Sequence, residues 1–303
     1  MKTNSADIIK SIRNEMGLSQ EEMAAQLFIS VRQLSRIESG EAGIDVWQFI
    51  TMMELLGAPS EDFWLLYLDS GEYTAYRDFK RLRRLVFYDD PSGGKELIDA
   101  MENSLIIRQP LVKQYVSHWR TYKDATLSFD DKLAALLDDM RISKPYFDER
   151  KVSEYRMTSI EISIALCMAE CLEAMGEYDR AITMLQGIIE NRESARASEE
   201  DKANIITSLY FVLSRILKTA GKYKDALKAC DHAIEISRSY NNFRHIPQML
   251  FCLADCYYKL GEEEQIYKTH LLRAYHSAYA IGRNELAATI KEDSLKNYGV
   301  VVP

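Results

Sequence analysis

Between residues 32 and 36 this 303-residue chain concentrates side chains that can hydrogen-bond another molecule: Arg32, Gln33, Ser35 and Arg36. Arg32 and Arg36 are four apart, so on a helix they point the same way, while Leu34 and Ile37 turn to the opposite side. A guanidinium fork presents paired donors that match the O6 and N7 acceptors of guanine, and amides and hydroxyls match other base edges and phosphate oxygens. The chemistry expected of this face is the reading of a nucleic-acid groove, with Arg32 and Arg36 on bases. The alternative is an amphipathic helix whose arginines are merely solvated.

The neighbouring residues could hold such a face rigid. Ser19 and Glu22 have the spacing of a capping box, and Ser30 and Gln33 repeat it one element later. Met23, Ala24 and Leu27 give the first short helix an apolar side, and Leu34 and Ile37 do so for the second. Gly40 suits the left-handed residue just past a helix end.

Two capped helices this close resemble the helix-turn-helix of the phage-repressor (XRE-type) class over residues 5–68. The resemblance implies base contacts from Val31, Arg32 and Arg36 with Gln33 and Ser35 beside them. It also implies a phosphate contact from Gln20 and an ion pair between Arg13 and Glu38. One position departs from the pattern. The turn reads Leu27-Phe28-Ile29-Ser30, with Phe28 where the family has the Gly that tolerates positive φ.

Charge runs against the first expectation. Net charge is −8, and the first 69 residues hold five basic against eleven acidic side chains. Phosphate neutralisation supplies much of the affinity for DNA. This head is therefore expected to bind weakly alone and to need two copies on one duplex, or a local segregation of charge. Arg77, Lys80, Arg81, Arg83 and Arg84 cluster on a helix near 72–88, either as added positive charge or as a solvated face.

An apolar content of 47% with only 6 Pro and 13 Gly points to an all-α fold. No run reaches the ~18 apolar residues of a membrane span, and the N-terminus lacks the apolar core of a signal peptide. Five cysteines, none in the first 160 residues, fit a reduced cytoplasmic protein. Five helices are expected at 5–16, 19–27, 30–39, 45–56 and 60–69, forming a helix-turn-helix domain over 1–70. Trp47, Ile50, Met53 and Leu56 lie on one face, and Trp64, Leu65 and Leu68 close that core or meet a second subunit. A linker helix and loop follow at 71–94, broken at Pro91-Ser-Gly-Gly94. A repeat domain fills 95–303, with helices near 95–104, 110–125 and 130–142.

Within that domain Gly176-Glu-Tyr-Asp-Arg-Ala181 recurs as Gly221-Lys-Tyr-Lys-Asp-Ala226 and, more faintly, as Gly261-Glu-Glu-Glu-Gln-Ile266, at steps of 45 and 40 residues. These resemble the turn of tetratricopeptide repeats, whose period is 34. Asn191–Asp201 would absorb part of the excess. Seven residues before each Gly stands a small side chain, Ala169, Ser214 or Ala254, where paired helices must touch. The preceding residues Met168, Leu213 and Leu253 are large and apolar, and Leu172, Leu217 and Tyr257 follow three residues later. Stacked helix pairs bury one core and leave a concave inner face. By register that face carries Leu166, Phe211 and Phe251 as one stripe, Cys167, Val212 and Cys252 as a second, and Glu170, Arg215 and Asp255 as a charged one. Ser163, Glu173, Ser208, Lys218, Gln248 and Tyr258 border them. The stripes suit an extended, largely apolar ligand, or they pack against a swapped or neighbouring helix.

A helix-turn-helix followed by such repeats resembles the peptide-responsive quorum-sensing regulators of the Rgg, PrgX and PlcR type. The likeness is greatest to the PlcR branch in Ala233-Ile-Glu-Ile-Ser237, Gln248 and Leu260-Gly-Glu-Glu-Glu264. The resemblance implies a homodimer on a near-palindromic double-stranded DNA operator, with a short signalling peptide in the groove. The Asn that the family places on the inner face is absent: the matching residues are Cys167 and Val212.

Two other readings stay open. The repeats could dock a protein partner with little DNA binding, or the groove could sense an apolar small molecule. Cys167/Cys171 and Cys252/Cys256, each four apart, could hold a soft metal or sense oxidation, but no His pair accompanies them and Cys is commonly a small buried hydrophobe. Ser92-Gly93-Gly94 lacks the context of a phosphate loop, and Asp89/Asp90, Asp130/Asp131 and Asp138/Asp139 are adjacent and share no helix face. No cofactor, metal or catalytic activity is implied.

Overall fold

The computed structural model describes residues 6, 9–10, 13–14, 17–45, 47–48, 50–51, 78–86, 94–103, 105–193 and 199–303. The expected helix at 60–69, and much of those at 5–16 and 45–56, lie outside them, as do Met53, Leu56, Trp64, Leu65, Leu68, Arg77 and the break at Pro91; Trp47, Gln48, Ile50 and Thr51 are described and helical. Among the described residues every regular element is helical, and no helix is long and apolar enough to cross a membrane. The α-helices are α1 (Gln20–Gln26), α2 (Val31–Glu38), α3 (Gly94–Glu102), α4 (Pro110–Lys123), α5 (Phe129–Arg141), α6 (Ser159–Ala174), α7 (Tyr178–Glu193), α8 (Glu199–Thr219), α9 (Tyr223–Ser239), α10 (Ile246–Lys259), α11 (Glu264–Ala280) and α12 (Asn284–Tyr298). Residues 78–86 are also helical. Two compact units divide the chain. One comprises Met1–Glu149 and Glu154–Cys167, the other Arg150–Ser153, Met168–Glu193 and Glu199–Pro303.

In the first unit, α1 opens on the expected capping box. The Glu22 N–H donates to Ser19 Oγ at 3.1 Å, and the Ser19 N–H donates to Glu22 Oε2 at 2.8 Å. At α2 the Ser30 hydroxyl accepts from the Gln33 N–H at 3.1 Å. Each such cap contributes about 1 kcal/mol by satisfying an otherwise orphaned backbone donor. The inward faces of both helices meet in a core of Ile9, Met23, Ala24, Leu27, Leu34 and Ile37, with Ile29, Ala42 and Ile44 against it. Phe28 takes the left-handed conformation itself, at φ +57°. The bonds Ile29 N–H to Ala24 O (3.0 Å) and Phe28 N–H to Ala25 O (3.2 Å) close α1. This is the paired C-terminal closure normally built on Gly.

Further along the same unit, Trp47 meets Phe79 edge-on at 5.7 Å, and Phe79 meets Tyr115 at 5.3 Å. Phe79, Leu82 and Leu85 form the buried side of the 78–86 helix, and Arg81 and Arg84 its exposed side. Helices α4, α5 and α6 are joined by a buried polar chain. Gln114 Nε2 donates to the Asp139 carbonyl (3.0 Å) and to Ser143 Oγ (2.8 Å), and Ser143 Oγ donates to Glu161 Oε1 at 2.5 Å. Lys144 neutralises Glu161 at 3.0 Å.

The second unit is a run of helical hairpins. Gly176, Gly221 and Gly261 sit at φ +80°, +75° and +74°, in the turns α6–α7, α8–α9 and α10–α11. In each turn the next N–H reaches back to a carbonyl five residues earlier: Glu177 to Leu172 (2.8 Å), Lys222 to Leu217 (2.9 Å) and Glu262 to Tyr257 (3.1 Å). A fourth such turn, which the hexapeptide pattern did not reveal, is built on Gly282 (φ +77°) between α11 and α12, with Arg283 N–H on Ala278 O at 2.9 Å. Ala169, Ser214 and Ala254 are fully buried, as their role at the helix contact requires. The long step between the first two repeats is taken up in part by α8, at 21 residues the longest helix of the unit. Past α12, Val300 packs with Ala254 and Leu271.

Candidate nucleic-acid interface and repeat groove

Val31, Arg32, Gln33, Ser35 and Arg36 are all exposed on α2, while Leu34, Ile37 and Glu38 are buried on its other side. The expected reading face is therefore exposed along its length among the described residues. The Arg36 guanidinium lies 3.8 Å from Glu41, with both side chains largely in water, a pair too exposed and too long to hold the arginine in place.

Behind this face the Arg13–Glu38 pair is bidentate, with Nε to Oε1 at 2.6 Å and Nη2 to Oε2 at 3.0 Å, both groups largely shielded from water. Arg13 Nη1 also donates to the Leu18 carbonyl at 2.9 Å. The Arg13 side-chain bond raises that guanidinium's pKa. The Glu38 carboxylate stays below its ordinary range, because hydrogen bonds from Arg13 and Gln20 outweigh the cost of burial. Gln20 Nε2 donates to Glu38 Oε2 at 2.8 Å. The residue expected on phosphate therefore already spends one amide donor inside the head.

In the second unit the charged stripe pairs with itself. Arg215 bonds Glu170 at 3.1 Å and Glu173 at 2.8 Å, and Lys218 bonds Asp255 at 3.0 Å. Its apolar partners are partly covered as well. Phe211 stacks on the His245 ring at 4.7 Å, and Arg215 lies 6.0 Å above the Phe211 face. Burial pushes the His245 imidazole down to about 3, with Arg244 and Arg283 adding to the shift, so it is a neutral ring that also meets Ser208 Oγ at 3.2 Å. Phe251 and Tyr258 meet the Tyr298 ring edge-on at 6.1 and 5.0 Å.

Of the remaining register positions, Val212 and Cys252 are only 5% and 6% exposed and belong to the interior. Gln248 is half-buried, and so are Leu166 and Cys167 on the first-unit part of α6. His245 and Tyr298 were not among the expected groove residues. Tyr298 in particular carries no sequence signal, since it reaches Phe251 from the end of another helix.

The helix-turn-helix family model matches residues 9–63, and the tetratricopeptide repeat model matches residues 207–240, which bracket most of α8 and all of α9. No curated protein matches the sequence significantly. Among solved structures, PlcR of Bacillus thuringiensis, in complex with the peptide PapR7 and DNA, superposes with a TM-score of 0.59. It is 16% identical, and the match covers 95% of this chain and 98% of that one. ComR of S. thermophilus, in complex with DNA and its signalling peptide, gives 0.56 at 16% identity over 97% and 99%. ComR of Streptococcus vestibularis with its signalling peptide XIP gives 0.55 at 14% identity over 98% and 99%. The chain thus carries a helix-turn-helix domain and tetratricopeptide repeats, and has the fold of the PlcR and ComR regulators.

Proposed function

We propose that this chain is a cytoplasmic, homodimeric transcription regulator. Its domain over 1–70 reads a near-palindromic operator, and its repeat domain over 95–303 binds a short signalling peptide that changes operator binding. The observation that carries this reading is the exposed Arg32–Arg36 face on a helix whose other side is locked by a core and a buried ion pair. The full-length likeness in fold to proteins solved with DNA and peptide supports it.

Two α2 helices related by a two-fold axis would enter successive major grooves ~34 Å apart. The shortage of basic residues in the head makes that pairing necessary for useful affinity, since one acidic head neutralises few phosphates. Peptide and operator would then be coupled by about 1–3 kcal/mol, equal in both directions.

Arg32→Ala is expected to cost roughly 1–3 kcal/mol of operator affinity and to relax one base position. Fluorescence anisotropy over a salt series measures both the loss and the phosphate contribution. Equal affinity of variant and parent removes the Arg32 assignment, and no dependence on salt overturns the DNA reading. Phe211→Glu and Phe251→Glu should each abolish calorimetric binding of a synthetic peptide matching an exported reading frame beside the gene. Unchanged affinity in both folded variants overturns the groove assignment.

A further inference from the structure

Helix α10 has a second face of interest, turned away from Gln248, Phe251 and Asp255. Leu250 and Leu253, three apart, share that opposite side. There α10 packs against both α9 and α11, and side chains of all three helices line two adjoining hollows of about 400 and 470 Å³. Each is the size of a small-ligand site. Arg238 of α9, Leu250 of α10 and Arg273 of α11 border both, so the two form one trough.

Its ends differ in chemistry. Asp231, Glu235 and His270 line the first hollow, and Phe243, Ile246, Leu272 and His276 the second. Arg238 and Arg273 are exposed, and among the described residues neither is in an ion pair, although Glu235 lies on the same face of α9 as Arg238. His270 Nδ1 is buried with no hydrogen-bond partner among the described residues. Burial and then Arg273 lower the His270 pKa against the pull of Asp231, so the arginines carry the positive charge beside it. Phe243 and Leu272 leave 47% and 36% of their surfaces in water.

The backbone that presents Phe243 is pinned. Asn241 takes the left-handed conformation at φ +54°, and the Asn242 N–H closes α9 on the Ser237 carbonyl at 2.8 Å. The Asn242 side chain donates to Asn204 Oδ1 at 2.8 Å and accepts from the Arg244 N–H at 3.2 Å. An apolar wall held in this way loses little freedom when a ligand covers it.

We propose that the trough binds a small amphipathic carboxylate of the fatty-acid type, its head on Arg238 and Arg273 and its chain on Phe243, Ile246, Leu250 and Leu272. Guanidinium forks match a planar carboxylate. The Asp231 and Glu235 carboxylates disfavour a dianion such as a phosphate monoester, and the exposed apolar half gives a hydrocarbon chain something to cover. This site is independent of the operator and of the peptide groove, so either reading can fail without the other.

The test is calorimetric titration of the full chain with decanoate, below the concentration at which it forms micelles. Saturable binding of one molecule per chain is expected, weakened about tenfold or more in Arg238→Gln and in Arg273→Gln. Decanol and decyl phosphate should bind more weakly than decanoate, and decyltrimethylammonium not at all. Hydrogen exchange of the parent chain should slow in 238–250 and 269–277 on adding decanoate and stay unchanged in α8, which bears Phe211. No saturable binding, equal affinity in both variants, any of the other three probes binding as tightly, or protection in α8 overturns the proposal. Both arginines are exposed, so their replacement spares the core, and the exchange map needs no variant.

Discussion

The head and the repeat groove spend their charged residues in opposite ways. On α2, Arg32 and Arg36 face water, and the strong ion pair of the head, Arg13–Glu38, sits behind them. Among the repeat residues expected on the inner face the charges satisfy one another, Arg215 with Glu170 and Glu173, Lys218 with Asp255. A surface whose arginines stand in water, with only the long exposed Arg36–Glu41 pair among them, is ready for a polyanion. One that has already paired them admits a ligand only by exchange or through its apolar residues. The contrast separates a rigid reader from a groove that must give up internal bonds to bind.

The sharpest way to break the comparison is to remove the ion pair. Arg13→Ala strands the Glu38 carboxylate in a shielded site and should destabilise the head by about 3–5 kcal/mol, the usual cost of orphaning a buried charge. Hydrogen exchange should show the loss in α1 and α2 and leave α8–α11 protected. Uniform loss across the chain would mean that the two regions do not fold separately.

The second prediction concerns pH. Burial raises the Asp139 carboxyl to about 6, despite hydrogen bonds from Ser117 and Thr121, and lowers the His118 imidazole to about 4. Between about pH 4 and 6 the folded chain holds the Asp139 proton that the unfolded chain has released, so this group makes stability fall as pH rises. His118 does the reverse. Folded His118 has lost the proton that the unfolded chain keeps, so its contribution rises with pH up to about 6.5. Each effect is worth up to about 3 kcal/mol. Asp139→Asn should therefore steepen the gain in stability between pH 4 and 6.5 in urea titrations, and a flatter profile would contradict the assignment.

The smallest expected effect is at Phe28. Phe28→Gly relieves the left-handed strain of an L-residue, about 1–2 kcal/mol, against the backbone entropy of a glycine, about 0.5–1 kcal/mol. A rise in melting temperature of a few degrees is expected, with operator affinity unchanged. A fall would mean that the partly exposed ring contributes more than the strain.

Local rules were the legible part of this chain. Ser19/Glu22, the repeat glycines and Ala169, Ser214 and Ala254 are fixed by neighbours within one turn or by a recurring register. They were readable in the residues and stand so in the structure. The Arg13–Glu38 pair came from likeness to a family and not from spacing. Gln20 shows the limit of that likeness, since its amide is engaged by a carboxylate eighteen residues away. The covering of Phe211 by His245 and of Phe251 by Tyr298 depends on how helices stack, which no periodicity encodes.

Glu38 has a further consequence. One carboxylate at the end of α2 grips Arg13, which precedes α1 in the chain, and Gln20 at the start of α1. Such a knot ties α2 to what precedes it and resists a tilt of that helix alone. In the proposed dimer, a signal arriving from the repeats would then act on the distance between two heads, and not on the pitch of the blade that each presents.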